Sequence, residues 1–281
     1  MRPTRHPPHP DTVYAGSSAG TIYRSSDRGQ TWEEFASFPG GSVTGVGLDP
    51  STPRRIYAAV RGVGFQFSEN GGASWEEREL GSNGYFGLAV NLADGSRLLV
   101  STGGIIAPGD RAIFKSIDAG RTWSLKAGCT PTRPAFDAAD TNYAYTGQYL
   151  DWGLWRSTDG GETWNPLSNL PGVAGFTYAA VDPREGKLWM SRAGMGVFLS
   201  TNHGEDWLDM SGSLVNRIID DVAVEPLLGG RSPLVAAICT EGDGVHTAYD
   251  ALAAVEPEAG PTSCSQVTAS IQITGVPDPF L

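Results

Sequence analysis

An eight-residue string ending in tryptophan recurs five times along this chain. Its strict form, Ser-x-Asp-x-Gly-x-Thr-Trp, stands at Ser25–Trp32 (SSDRGQTW), Ser116–Trp123 (SIDAGRTW) and Ser157–Trp164 (STDGGETW). Looser copies at Ser68–Trp75 (SENGGASW) and Ser200–Trp207 (STNHGEDW) place Asn70 and Asn202 where the others have Asp27, Asp118 and Asp159. Successive copies start 43, 48, 41 and 43 residues apart. A period of this size marks an architecture of stacked units, none of which buries its apolar face alone. Five copies also argue against catalysis by the motif, since a reaction needs a single constellation.

The chemistry of the string is that of a turn. The third-position Asp or Asn can accept hydrogen bonds from turn amides, and the first-position serines (Ser25, Ser68, Ser116, Ser157, Ser200) stand beside it. Gly29, Gly72, Gly120, Gly161 and Gly204, at the fifth position, tolerate a positive φ. The hydroxyls of Thr31, Thr122 and Thr163 can tie the hairpin back on itself. The tryptophans (Trp32, Trp75, Trp123, Trp164, Trp207) bring a large ring to bury between neighbouring sheets. A calcium loop needs several oxygens in ligand spacing, and each copy offers one carboxylate or fewer there.

These strings resemble the Asp-box, or BNR, repeats of sialidases, sortilin-type receptors, xyloglucanase-type glycoside hydrolases and the photosystem II assembly factor family. The resemblance covers residues 11 to 250 and implies a β-propeller. It further implies that each box closes the hairpin between the third and fourth strands of a blade, on the face away from the usual binding site.

The segments between boxes agree. An apolar inner strand ends in an acid (SVTGVGLDP 42–50, GFTYAAVDP 175–183, DDVAVEP 220–226). A second strand follows, as in TVYAG (12–16), RIYAAV (55–60), RLLVST (97–102), NYAYTG (142–147), KLWMSR (187–192) and PLVAAIC (233–239), and a third leads into each box. Short β-rich runs bounded by turn residues are an all-β pattern. Six second strands predict a six-bladed propeller, with seven blades the second choice because a seventh would need roughly 300 residues at this period. The first second strand lacks an inner neighbour, and the tail IQITGVPDP (271–279) mimics VTGVGLDP, so the C-terminal strand is expected to close the ring. The sixth unit keeps a lead-in strand in GVHTAYDALAAVEP (244–257) but no box. The expected organisation is a disordered extension over 1–10 and one propeller over 11–281.

Composition narrows the partners. Twenty basic against 31 acidic residues give a net charge of −11, which repels nucleic-acid backbones. No stretch approaches 18 consecutive apolar residues, so membrane insertion is not expected. The start, MRPTRHPPHP, has no apolar core of a signal peptide, which makes the cytoplasm the default compartment and export the alternative if the start is truncated. Cys129, Cys239 and Cys264 have no metal spacing and read as buried thiols, a single disulfide being the alternative. No cofactor or metal is expected. The histidines His6, His9, His203 and His246 form no recognisable metal or triad set.

Function is expected on the face opposite the boxes, where loops sit on a rigid scaffold. Ligand-binding candidates there are Arg61, Tyr149, Asp151, Trp152, Tyr178, Arg192 and Arg217, with Arg133 nearby. Tyr149, Asp151 and Trp152 combine an acid with aromatics, as a sugar requires; the competing reading is a turn cap and packed rings, Trp155 included. Candidate acids are Asp137, Asp151, Asp220 and Asp221. The last two are strand neighbours and point to opposite faces. By resemblance to sialidases, three arginines would clamp a carboxylate, but the Phe/Tyr-Arg-Ile-Pro string of that group is absent; RRIY (54–57) is the nearest. By resemblance to xyloglucanases, two aspartates would face each other across a cleft between two propellers, whereas this chain has room for one. The expected function is therefore a non-catalytic binding or assembly scaffold for a protein or glycan. A glycoside hydrolase working at the central pore is the alternative.

Overall fold

The computed structural model describes residues 4–6, 9–78, 80, 84–103, 111–129, 131–148, 153–171, 177–182, 186–192, 194–211, 219–225, 235–240 and 244–249, with backbone alone for 4–10, 177 and 219–249. Among these residues every regular element is a strand, and the strands form six antiparallel sheets in chain order. The first sheet contains Thr4–His6 (β1), His9–Gly16 (β2), Thr21–Ser25 (β3) and Glu33–Ser37 (β4). Ser42–Leu48 (β5), Ile56–Arg61 (β6), Gly64–Ser68 (β7) and Glu76–Arg78 (β8) form the second. The third has Tyr85–Val90 (β9), Leu98–Thr102 (β10), Ala112–Ser116 (β11) and Ser124–Gly128 (β12). The fourth runs Pro131–Phe136 (β13), Ala144–Gln148 (β14), Leu154–Ser157 (β15) and Asn165–Pro166 (β16). The fifth has Thr177–Val181 (β17), Leu188–Arg192 (β18), Gly196–Ser200 (β19) and Leu208–Asp209 (β20). Ile219–Glu225 (β21), Val235–Thr240 (β22) and Gly244–Tyr249 (β23) make a three-stranded sixth sheet.

The first sheet touches the second through β1 and β2 on β5, and from there each touches the next through its inner strands: β5 on β9, β9 on β13, β13 on β17 and β17 on β21. This is the progression of propeller blades, and the core consists of the layers between them. The second strands show why. Ile56, Ala58 and Val60 of β6 pack towards the first blade with Tyr14, Ile22 and Phe38. Tyr57 and Ala59, on the opposite face of the same strand, pack with Leu98 and Val100 of the third. Alternate side chains of a strand point to opposite faces, so a strand buried on both reads as an unbroken apolar run.

The boxes are the hairpins between third and fourth strands, and each is closed by its own side chains. In the first, Ser25 Oγ donates to Asp27 Oδ1 (2.6 Å), and Asp27 accepts from the Thr31 N–H (2.8 Å) and hydroxyl (2.5 Å). The Gly29 N–H donates to Ser25 Oγ at 2.7 Å. The same bonds recur around Asp118 and Asp159. Positive φ extends to the fourth position as well, at Arg28, Ala119 and His203, which the residue pattern alone does not signal.

The two Asn-containing copies are changed in a correlated way. Asn70 Nδ2 donates to Ser74 Oγ at 2.8 Å, and Asn202 Nδ2 donates to Asp206 Oδ2 at 2.9 Å. In the fifth box the seventh residue is itself an acid, so an amide at the third position supplies the donor that a second carboxylate could not.

From the second box onward the tryptophan rests on the preceding blade. Trp75 meets Phe38 edge-on with ring centroids 5.3 Å apart, and Trp123 meets Phe65 at 5.0 Å. Trp164 packs with Leu99 and Ile113, joined by Trp155, and Trp207 packs with Tyr145 and Leu188. Ion pairs add to two of these seams, Lys115–Glu162 at 2.7 Å and Arg156–Glu205 at 2.6 Å.

At the N-terminus the arrangement differs from expectation. β1 pairs with β2 from Thr4↔Tyr14 to His6↔His9, taking the place beside β2 that the sequence pattern gave to residues 271–279. A hairpin between neighbouring residues closes a far shorter loop than a pairing across the whole chain, and that entropy favours it. Residues 271–279 and the box-less continuation after Tyr249 lie outside the described residues.

Candidate functional site

The polarity of the strands fixes two faces. Third strands run into the boxes, so the inner strands begin, and the second strands end, at the opposite face. There a cavity of about 640 Å³ opens among residues from five blades. Its wall includes Ala15–Ser18 at the end of β2, Ser42–Thr44 of β5, Arg61 of β6, Phe86 of β9, Pro131–Arg133 of β13 and Tyr178 of β17. Tyr23 and Trp32 continue it along the flank of the first blade.

Arg61 and Tyr178, two of the sequence candidates, meet in this wall, together with Arg133. Arg61 is held by the neighbouring blade. Its Cζ lies 4.7 Å from the centroid of the Phe86 ring, and its Nε donates to the Tyr85 carbonyl at 3.3 Å. Phe86 escaped the sequence reading because its partner lies 25 positions away on another blade. A ring at the start of an inner strand was the only local signal. Arg133 is brought close by Gly87, where a Cβ would stand 3.0 Å from the Arg133 Cα.

Arg192 takes a different role. Its side chain is buried, burial lowers its pKa, and one terminal nitrogen donates to the Pro171 carbonyl at 2.5 Å. Tyr149, Asp151, Trp152 and Arg217 lie outside the described residues. Asp220 and Asp221 fall in β21, where Asp221 pairs with Cys239. Asp221 stands four residues before Glu225, as Tyr178 stands four before Asp182, so the register sets Asp221 at the level of the Tyr178 wall. Cys129 is buried. Among the described residues no group of three or more His, Cys, Asp or Glu could hold a metal ion.

Asp137 is corrected outright. It lies past the end of β13, at the box face, with 0 % exposure. Its Oδ1 accepts from the backbone N–H of Ala139 (2.9 Å) and Asp140 (3.2 Å). Asp49 does the same for Ser51 and Thr52, and Asn91 for Ala93 and Asp94. The acid or amide after the inner strands of the second, third and fourth blades is thus a turn anchor, a second repeated device. Its signal was the Asp or Asn recurring where an inner strand gives way to a turn, since a residue repeated in blade after blade closes turns. Asp137 also stands 3.5 Å from His203 Nδ1 of the fifth box, whose ring stacks on Tyr143 at 3.9 Å.

The family model described as BNR/Asp-box repeat matches residues 155–166, the fourth box with its flanks. The chain is an Asp-box β-propeller. This propeller is 26 % identical over 195 residues to a probable oligoxyloglucan-reducing end-specific xyloglucanase from Neosartorya fischeri. That alignment covers 59 % of this chain and 23 % of the relative, so the chain spans about a quarter of the length of the curated protein it matches. Among solved structures the propeller superposes on an ancestral GH74 enzyme with a TM-score of 0.71 at 19 % identity, covering 91 % of this chain and 37 % of that one. It also superposes on YCF48 bound to D1 peptide with a TM-score of 0.61 at 15 % identity, covering 85 % and 75 %. No helix among the described residues is long and apolar enough to cross a membrane.

Proposed function

We propose that this propeller is a ligand-binding scaffold that holds a protein or a glycan in the cavity opposite the boxes. One observation carries the reading: the described wall of that cavity brings together arginines, hydroxyls and aromatic rings from five blades. Glycoside hydrolysis by the usual route needs two carboxyl groups roughly 5–9.5 Å apart. The candidate acid fully described, Asp137, is spent on a turn at the other face. A bound D1 peptide on YCF48 shows that a protein of this fold takes a peptide.

The xyloglucanase relative favours a second reading, a glycoside hydrolase whose acids come from Asp151, Asp220 or Asp221. Hydrogen exchange of the chain with peptide and oligosaccharide panels, run beside a hydrolysis assay, separates the two. Binding without turnover, with protection at residues 15–18, 42–44 and 131–133, is expected. Turnover abolished by Asp221→Asn or Asp151→Asn establishes the hydrolase instead, and protection confined to the boxes removes both.

A further inference from the structure

The geometry points to an acidic oligosaccharide, a glycan carrying uronate carboxylates, as the ligand of this cavity, with Arg61 as its anchor. This rests on the binding reading above and names its ligand class. Arg61 is fixed twice by the third blade, with Cζ over the Phe86 ring and Nε bonded to the Tyr85 carbonyl. Its two terminal nitrogens meet no acceptor among the described residues. A guanidinium pinned in its plane with its fork open suits two parallel bonds to a carboxylate, and its side-chain entropy is already lost before binding.

Gly103 keeps this arrangement in place. A Cβ there would come within 2.1 Å of the Phe86 ring, so any larger residue pushes the ring from under the guanidinium. Against a net charge of −11, the described wall brings Arg61 and Arg133 together, and two neighbouring cations draw an anion to this place. The rest of the wall suits a sugar. Ser17, Ser18, Ser42 and Thr44 bring hydroxyls for ring hydroxyls, and Tyr178 brings a ring for a pyranose face. An apolar peptide would instead draw on a strand edge or on apolar side-chain pockets, and an acidic one competes for the same guanidinium, which the penta-glutamate probe separates.

Isothermal titration calorimetry of the full chain with three probes tests the inference: an oligogalacturonate, a neutral xyloglucan oligosaccharide of equal length, and penta-glutamate. The oligogalacturonate is expected to bind, to weaken with added salt, and to lose about tenfold or more in affinity on Arg61→Gln, the loss of a charge-assisted bond. Arg61→Lys and Gly103→Ala are expected to lose most of the same affinity, while Arg54→Gln, near the second box, changes nothing. Unchanged thermal unfolding of Arg61→Gln shows that the fold is intact. If the neutral oligosaccharide binds equally well and Arg61→Gln leaves it untouched, the inference fails and the binding scaffold stands. If penta-glutamate alone binds through Arg61, the glycan class is wrong. If none of the three binds, the inference is overturned.

Discussion

Replacing Gly120 by alanine tests whether the boxes hold the blades together by close packing as well as by turn conformation. Gly120 sits at φ +83°, and a Cβ there would lie 2.7 Å from Phe65 Cε1 on the preceding blade and 3.2 Å from Trp123 Cζ2. The left-handed conformation costs an alanine about 1–2 kcal/mol. Forcing a methyl into a packed seam adds about 1–3 kcal/mol. Stiffening of the unfolded chain returns about 0.4–1 kcal/mol, leaving a net loss of about 1–4.6 kcal/mol. Gly40 is the matched control, with φ +81° and nothing within 4 Å of a Cβ. Its alanine variant bears the strain without the collision and is expected to lose about 0–1.5 kcal/mol. Urea unfolding with a common slope measures both. The difference between the variants, about 1–3 kcal/mol, is the packing contribution. Adding Phe65→Leu to Gly120→Ala should recover part of it, as a double-mutant cycle reads out. Equal losses at Gly120 and Gly40 would refute the claim that the box grips the blade behind it.

Two further outcomes follow from the box chemistry. Bonds from the Ser25 hydroxyl and from Thr31 hold Asp27 at about 2; at Asp159 burial pushes up, but the bonds from Thr163 and Ser157 outweigh it and leave the carboxyl at about 2. A carboxyl lowered in the folded state binds fewer protons there than in the unfolded chain, so its stabilisation is complete above the unfolded value near ~3.9 and disappears as pH falls towards 2. Chemical unfolding between pH 5 and 2 should show this loss, and the Asp27→Asn, Asp118→Asn, Asp159→Asn triple variant should flatten it; an unchanged slope contradicts the assignment. In the fifth box, Asn202→Asp sets a carboxylate against that of Asp206 and should destabilise by about 1–3 kcal/mol at pH 7. Adding Asp206→Thr restores the strict motif and should recover the loss, which thermal unfolding will measure.

The boxes were legible in the sequence because their partners are neighbours: the side-chain bonds of Ser25, Asp27, Thr31 and Trp32 close within the same eight residues. The second and third strands were equally plain, since a strand buried on both faces leaves an apolar run such as IYAAV. The site was harder to see. Arg61 meets Phe86 across a seam between blades, and spacing along the chain carries no trace of such a meeting. Asp137 shows the opposite failure. A carboxylate near an inner strand reads as a pore acid or a turn anchor with equal ease until the direction of the strand says which end it occupies. β1 was missed because TRH and HP, set among prolines, show no alternation, so its pairing depends on the adjoining β2.

That the box tryptophans from the second onward rest on the blade behind them has a consequence for how the molecule is made. A chain leaving the ribosome cannot seal one wedge until the following 41–48 residues have emerged. Until then the finished wedge shows a bare aromatic socket, Phe38 or Phe65, to whatever is nearby. Synthesis that halts inside a repeat therefore leaves a sticky end on the last complete wedge, and a chaperone or protease has a single place to look for it.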